Sequence, residues 1–332
     1  MKKTRLKVAS VSLSWGGAGD MDLRWRYEKG VQYLKDTFDI EVLPMPHTLD
    51  GSESVYQNPQ HRAQDLMDAY KDDNIAMVLS CIGGSESVRI LPYLDDAIFI
   101  NNPKPFIGYS DSTTLHLYLN KLGIKTYYGP SILSEFSENN GMFEYSRDYF
   151  QRIVLNQEAS VRIEAATQWT SERIPWLIEN QNQTKTMNPH DGFDFIQGDK
   201  VVSGPLIGGC IEVLSNLRGT DIWPSYESFD GAILFLETSE VMAEPWLFED
   251  MLRALVTVGT LERTSGIIFG KPYHNKYYQE YREIIEKIVQ EIDYEGAIVA
   301  NMNFGHTQPM FSIPYGGIGV IDPIQKTFTI KQ

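Results

Sequence analysis

Cysteine is scarce in this chain. Only Cys81 and Cys210 occur in 332 residues, far apart and each in an apolar setting. Two buried free thiols in a reducing cytoplasm fit this better than a disulfide framework. Basic charge is scarce too: 29 Lys and Arg stand against 44 Asp and Glu, a formal net charge of −15, and the only basic run is the opening MKKTRLK. Nucleic-acid polymers and anionic membranes need clustered cations, so neither is an expected partner. No stretch approaches the length of a membrane-spanning helix. The VASVSLSWGG after the basic start is broken by serines and lacks a cleavage site, so it reads as a first strand rather than a secretion signal, and the expected location is the cytoplasm. Metal-binding patterns are missing as well, with no H-E-x-x-H, no H-x-E paired with C-x-x-C and no close Cys/His spacing. Neither metal nor organic cofactor is expected.

What is present is an α/β chain long enough for two domains. Leu6 to Leu13 reads as a strand, and Asp20 opens a helix with Leu23, Tyr27, Val31, Leu34 and Phe38 at helical spacing. Ile40 to Leu43 is the next strand, Arg62 to Tyr70 a helix, and Ile75 to Ser80 a short apolar strand of the kind covered on both faces. This alternation predicts a doubly wound parallel sheet. The third strand runs into Cys81-Ile82-Gly83-Gly84-Ser85. Such a turn either cradles an anion with its N–H groups or is merely tight. A strand at Thr126 to Tyr128, a helix over Tyr145 to Leu155 and a strand near Val161 are expected to complete the first layer, residues 1–165. Residues 166–198 are polar and irregular, yet carry Trp169 and Trp176, and read as an interdomain loop walling a cleft. The second domain, 199–332, is expected to open with a strand at Lys200 to Ser203 and a turn at Leu206 to Gly209. Apolar strands at Gly231 to Leu236, Gly266 to Phe269 and Ala297 to Ala300 follow, ending in Glu237, Gly270-Lys271-Pro272 and, through Asn303, Gly305-His306.

The segment KPFIGYSDSTTLHLYL, Lys104 to Leu119, is a strand, a sharp turn and a helix with a serine at the turn. A serine so placed is displayed as a nucleophile, although Ser112 stands where the elbow pattern G-x-S-x-G has its second glycine. The competing reading is that Ser110 or Asp111 caps the helix. Ser110, Glu237 and His306 share one property: each lies just beyond the carboxyl end of a predicted strand. A serine, a base and an acid to orient the base are the parts needed to attack an acyl carbon. The oxyanion would be held by the Asp111 N–H and the Gly83-Gly84 turn. Glu240 competes with Glu237 for the orienting role, and His116, six positions along the helix from Ser110, would point away from the turn.

The stretches GYSDST (108–113), IGGSESVRILPYLD (82–95), LIGGCIEVLSNLRGT (206–220), ILFLET (233–238) and NFGHTQPMFSIPYG (303–316) resemble the LD-carboxypeptidase family of serine peptidases, over nearly the whole chain and in the family's order. The resemblance implies a Ser-Glu-His triad falling on Ser110, Glu237 and His306, the same set, and leaves the oxyanion to the Gly84 and Asp111 N–H groups already named. It also implies a flavodoxin-like amino-terminal domain, a smaller swivelling carboxy-terminal β/α domain, a site between them and a homodimer. Within the family the chain is more similar to the microcin C immunity branch, which cuts the amide of peptidyl adenylates, than to the branch that trims D-alanine from muropeptides: it has IGG where the latter has RGG, and carries WTSERIPW before its second domain. The resemblance puts Trp176 against the adenine of a small peptide or peptidyl-nucleotide substrate, and Gly83, Ser85, Cys210 and Lys271 beside that substrate. Cys210 and Thr238 depart from the usual Asn and Asp. A non-catalytic anion-binding module on the same scaffold is the alternative of another class.

Overall fold

The computed structural model describes residues 5–332. The chain forms two compact units: one runs through Arg147 and includes Arg173–Lys185, and the other comprises Asp148–Glu172 and Thr186–Gln332.

The first unit is built on strands β1 (Leu6–Val11), β2 (Ile40–Pro44), β3 (Met77–Ser80), β4 (Phe106–Gly108) and β5 (Thr126–Tyr128), all parallel, in the order β2-β1-β3-β4-β5. This is the flavodoxin-like order. Every residue of β3, β4 and β5 is buried, as their unbroken apolar character predicts for strands covered on both faces. Strand order reverses between β1 and β3, the place at the carboxyl edge where open α/β sheets take their ligands. The helix Arg24–Phe38 buries Tyr27 and Leu34 and starts later than Asp20. The Asp20 carboxylate is engaged elsewhere, accepting from the Ser52 N–H at 2.7 Å and from its hydroxyl. Pro59, with its fixed φ and missing N–H, starts the helix Pro59–Lys71 ahead of Arg62.

The second unit carries an eight-stranded sheet. Four central strands, Val202–Cys210, Ile233–Glu237, Gly266–Gly270 and Ala297–Met302, are parallel neighbours in that order. Beyond Val202–Cys210 lie Ile318–Asp322, Thr327–Lys331 and Ser160–Ile163, each antiparallel to the one before, and beyond Ala297–Met302 lies antiparallel Asp194–Gln197. Phe235, Phe304 and Phe311 are fully buried at its centre, each worth about 1.5–3 kcal/mol of hydrophobic burial.

Three expectations are corrected here. The strand near Val161 does not complete the first layer but is an outer strand of the second sheet, paired with Thr327–Lys331. Its alternating burial suits an antiparallel outer strand rather than a doubly covered parallel one. Leu206 to Gly209 is not a turn. It lies inside the nine-residue strand Val202–Cys210, where a Cβ on Gly208 would overlap the Phe235 carbonyl oxygen, so the glycine admits a close neighbouring backbone. Residues 166–198 are not uniformly irregular: Gln168–Trp169 pairs with Asn188–Pro189, and Asp194–Gln197 is a full strand. Among the described residues no helix is long and apolar enough to cross a membrane.

Candidate active site

Ser110 follows β4 at φ +61°, a left-handed conformation that an L-residue holds only when its surroundings impose it. Its N–H donates to the Tyr128 hydroxyl at 3.0 Å, and its carbonyl accepts from Thr113 Oγ1 at 2.7 Å. Gly83 packs directly against it: a Cβ there would lie 2.9 Å from Ser110 Cβ and 3.1 Å from Oγ. Gly84, at φ +144°, has the same intimacy with Ser14. Neither Ser110 nor Asp111 caps the helix Thr113–Lys121. Ser112 occupies the N-cap position without a side-chain capping bond.

Asp111 has another task. Its buried carboxylate accepts from Ser14 Oγ at 2.6 Å and from the Ser87 N–H at 2.8 Å, while its carbonyl accepts from Ser87 Oγ at 2.8 Å. One side chain thus ties together the loops leaving β1, β3 and β4. With those loops fixed, the N–H groups of Gly84 and Asp111 donate to no backbone carbonyl among the described residues. The arrangement supplies backbone donors beside a displayed hydroxyl. His116 turns inward, its Nε2 2.8 Å from the Gly108 carbonyl oxygen, and burial pulls it down to about 3, so it is neutral and donates there.

Trp176 belongs to the same unit. Its ring stacks on Trp15 at a centroid distance of 6.2 Å and 21°, and the Arg26 guanidinium lies 4.4 Å from its centroid. Trp15 is next to Ser14, and its N–H donates to the Gly83 carbonyl at 3.2 Å. The indole pair therefore abuts the turn that packs on Ser110. Ser85 is exposed on that turn.

In the second unit, Glu237 ends its strand buried at 3% exposure, with its carboxylate 2.7 Å from His306 Nδ1. Gly305, at φ +92°, allows this approach, since a Cβ there would lie 2.5 Å from Glu237 Oε2. Glu240 occupies the other ring nitrogen, 3.2 Å from Nε2. Both carboxylates that compete for the orienting role in the sequence thus reach the ring, one at each nitrogen. Burial of His306 opposes its charge, but Glu237, Glu240 and Glu212 outweigh it and raise the imidazole to about 9. Cys210 pairs in register with Glu237 and is buried, and its thiol, pushed up by burial, donates to Glu212 at 3.1 Å. Lys271 is also buried, bonded to Asn275 at 2.9 Å and Asn301 at 2.8 Å over the Trp169 ring, and burial lowers it to about 8. Both groups are engaged within their own unit.

Sequence reasoning missed Ser14, Trp15, Arg26, Ser87 and Tyr128. Ser14 and Trp15 stand just past the carboxyl end of β1, the same signal that singled out Ser110. Ser87, Arg26 and Tyr128 carry no such mark.

The profile of the LD-carboxypeptidase N-terminal domain matches residues 8–129, and that of the LD-carboxypeptidase C-terminal domain matches residues 203–320. The microcin C7 self-immunity protein MccF of Escherichia coli is 27% identical over 317 residues, covering 92% of this chain and 88% of its own. An MccF-like protein from Streptococcus pneumoniae, solved in complex with AMP, superposes with a TM-score of 0.92 at 32% identity over 99% of both chains. An MccF-like protein from Bacillus anthracis does so with a TM-score of 0.86 at 27% identity, over 99% of this chain and 98% of its own. A parallel-sheet α/β scaffold with both profiles in order and these relatives leaves one conclusion: the chain belongs to the LD-carboxypeptidase family of serine peptidases.

Proposed function

We propose that this peptidase cleaves the amide of a small peptidyl or aminoacyl adenylate of the microcin C type, with Ser110 as nucleophile, His306 as base and Glu237 as the acid that orients it. Ser110 Oγ attacks the scissile carbonyl carbon, and its proton passes to His306 Nε2, which Glu240 must release. The carbonyl oxygen becomes an oxyanion held by the Gly84 and Asp111 N–H groups. Collapse breaks the C–N bond, and His306 returns the proton to the leaving nitrogen. Water, with His306 again as base, then attacks the acyl-serine, releasing the acid and restoring Ser110.

One observation carries the choice of substrate: Trp176, paired with Trp15, lies beside the turn that packs on Ser110. An indole face there suits a nucleobase, and stacking one base contributes roughly 1–3 kcal/mol. The AMP bound by the S. pneumoniae relative supports the same reading. A muropeptide LD-carboxypeptidase is the second reading, favoured by the two LD-carboxypeptidase profiles. Separate incubation with aspartyl sulfamoyl adenosine and with a tetrapeptide ending in D-alanine, followed by mass spectrometry, decides between them. Cleavage of the first alone is expected, and release of D-alanine alone reverses the choice. Ser110→Ala should cut turnover by on the order of 10³ or more and leave AMP binding intact. Retention of most of the rate would assign the nucleophile elsewhere, and failure of a fluorophosphonate to label Ser110 would favour the anion-binding module.

A further inference from the structure

The segment bearing Trp176, Arg173–Lys185, belongs to the first unit although the residues on either side of it belong to the second. At its base the Thr186 N–H donates to the Glu172 carboxylate. At its far side three consecutive residues of the first unit grip it. Asn139 Nδ2 donates to the Asn180 carbonyl at 2.9 Å, and Asn140 Nδ2 to the Asn182 carbonyl at 3.2 Å and Thr184 Oγ1 at 2.9 Å. Glu138 accepts from Lys185 Nζ at 2.6 Å. The bonds made by Asn140 are exposed, whereas the Glu138 and Lys185 side chains are 3% and 14% exposed. A surface amide bond is readily exchanged for water, but removing one partner of a buried ion pair strands the other charge. The Asn139 bond, and the one that Lys29 Nζ donates to the Gln181 carbonyl at 3.2 Å, are part-buried but end on neutral carbonyls, so the ion pair is the hydrogen-bonded contact of this set whose loss strands a buried charge. The same carboxylate supports the charge of Arg26, which lies over the Trp176 ring and is itself bonded to the Leu133 carbonyl at 2.6 Å.

We infer that Glu138 and Lys185 form a latch that sets the Trp176 face beside the Ser110 turn, so that they are positioning residues for the nucleobase end of the substrate and not for bond cleavage. This deepens the adenylate reading and rests on it for the ligand, though not for the latch. The contact commits the segment to the first unit before any substrate arrives, so the stacking face is pre-ordered and the cost of ordering it is not taken from binding.

The test compares the full chain with Glu138→Gln, Lys185→Met and the double variant Glu138→Gln/Lys185→Met. Trypsin cleavage after Arg173, followed by mass spectrometry, reads the latch without any ligand. Both single variants should be cut faster than the parent, and the double variant no faster than the singles, since it leaves neither latch charge stranded. Calorimetry with AMP should give a Kd about ten-fold weaker in the single variants. With aspartyl sulfamoyl adenosine KM should rise in parallel while kcat stays within about two-fold. Unchanged protection of Arg173 in both single variants overturns the latch, as does a fall in kcat at constant KM. A parent chain that does not bind AMP overturns the adenylate reading instead, and the trypsin pattern still decides the latch.

Discussion

At φ +61° Ser110 carries a backbone cost of about 1–3 kcal/mol, which its neighbours must offset. Gly83 is one of them, and its substitution belongs to this scale. In Gly83→Ala the new methyl meets Ser110 Cβ at 2.9 Å, so either the serine or the loop after β3 moves. We expect turnover to fall at least a hundred-fold, since small misplacement of a reacting group is costly, with stability lowered by about 1–3 kcal/mol. Steady-state kinetics beside urea unfolding check it, and near-parental kcat would show that the contact is slack. The proposed base makes a second prediction. His306 sits at about 9 because Glu237, Glu240 and Glu212 outweigh its burial, yet it must be neutral to act as a base. The kcat/KM of the free enzyme should therefore climb through neutral pH and level only above about 9. Glu240→Gln removes the carboxylate from Nε2 and should move that inflection to lower pH. A pH–rate profile unchanged by the substitution would remove Glu240 from this role. Stability has the opposite sign. Because the folded value exceeds the ordinary 6.5, the stabilisation from the imidazolium is complete below that pH and lost as pH rises through about 9.

Among the elements, the decisive junction is the one Asp111 makes between the loops after β1, β3 and β4. Asp111→Ala leaves the backbone N–H in place but frees Ser14 and Ser87. It should cost about 1–3 kcal/mol for the bonds lost and slow fluorophosphonate labelling of Ser110. Labelling at the parental rate would mean the loops hold their shape without it. This junction also shows what could be read in advance. Strands β3 and β4 and Ile233–Glu237 announce themselves as apolar runs, so the placing of the glycine turn, Ser110 and Glu237 at strand ends, where the candidate site was sought, was legible. The clamp was not, because a carboxylate beside a serine is equally a helix cap until the distant Ser14 and Ser87 are known. Gly208 misled for a related reason: a glycine pair signals a turn locally, and only the Phe235 carbonyl of the neighbouring strand makes it a strand position.

For the molecule as a whole, the second unit is assembled from two separated pieces of chain. A fragment starting at Asp148 keeps both outer strands, Ser160–Ile163 and Asp194–Gln197, whereas one starting at Asp199 loses both and exposes unpaired edges. The longer fragment should give a monodisperse peak and cooperative urea unfolding, and the shorter should aggregate. Equal behaviour in size-exclusion chromatography would make the outer strands dispensable. The alternating burial of Ser160–Ile163 belongs to an antiparallel strand, but nothing local in the sequence names a partner so far along the chain.

That pairing has a temporal consequence. During synthesis the five parallel strands of the first unit emerge early and in an order that lets neighbours meet soon after they appear. Ser160–Ile163 must wait, with one face unprotected, until Thr327–Lys331 has left the ribosome. The outermost strand of the second sheet is therefore among the earliest parts of that unit to be made and among the last to find its place, and this interval is when a nascent chain is most exposed to capture by a chaperone.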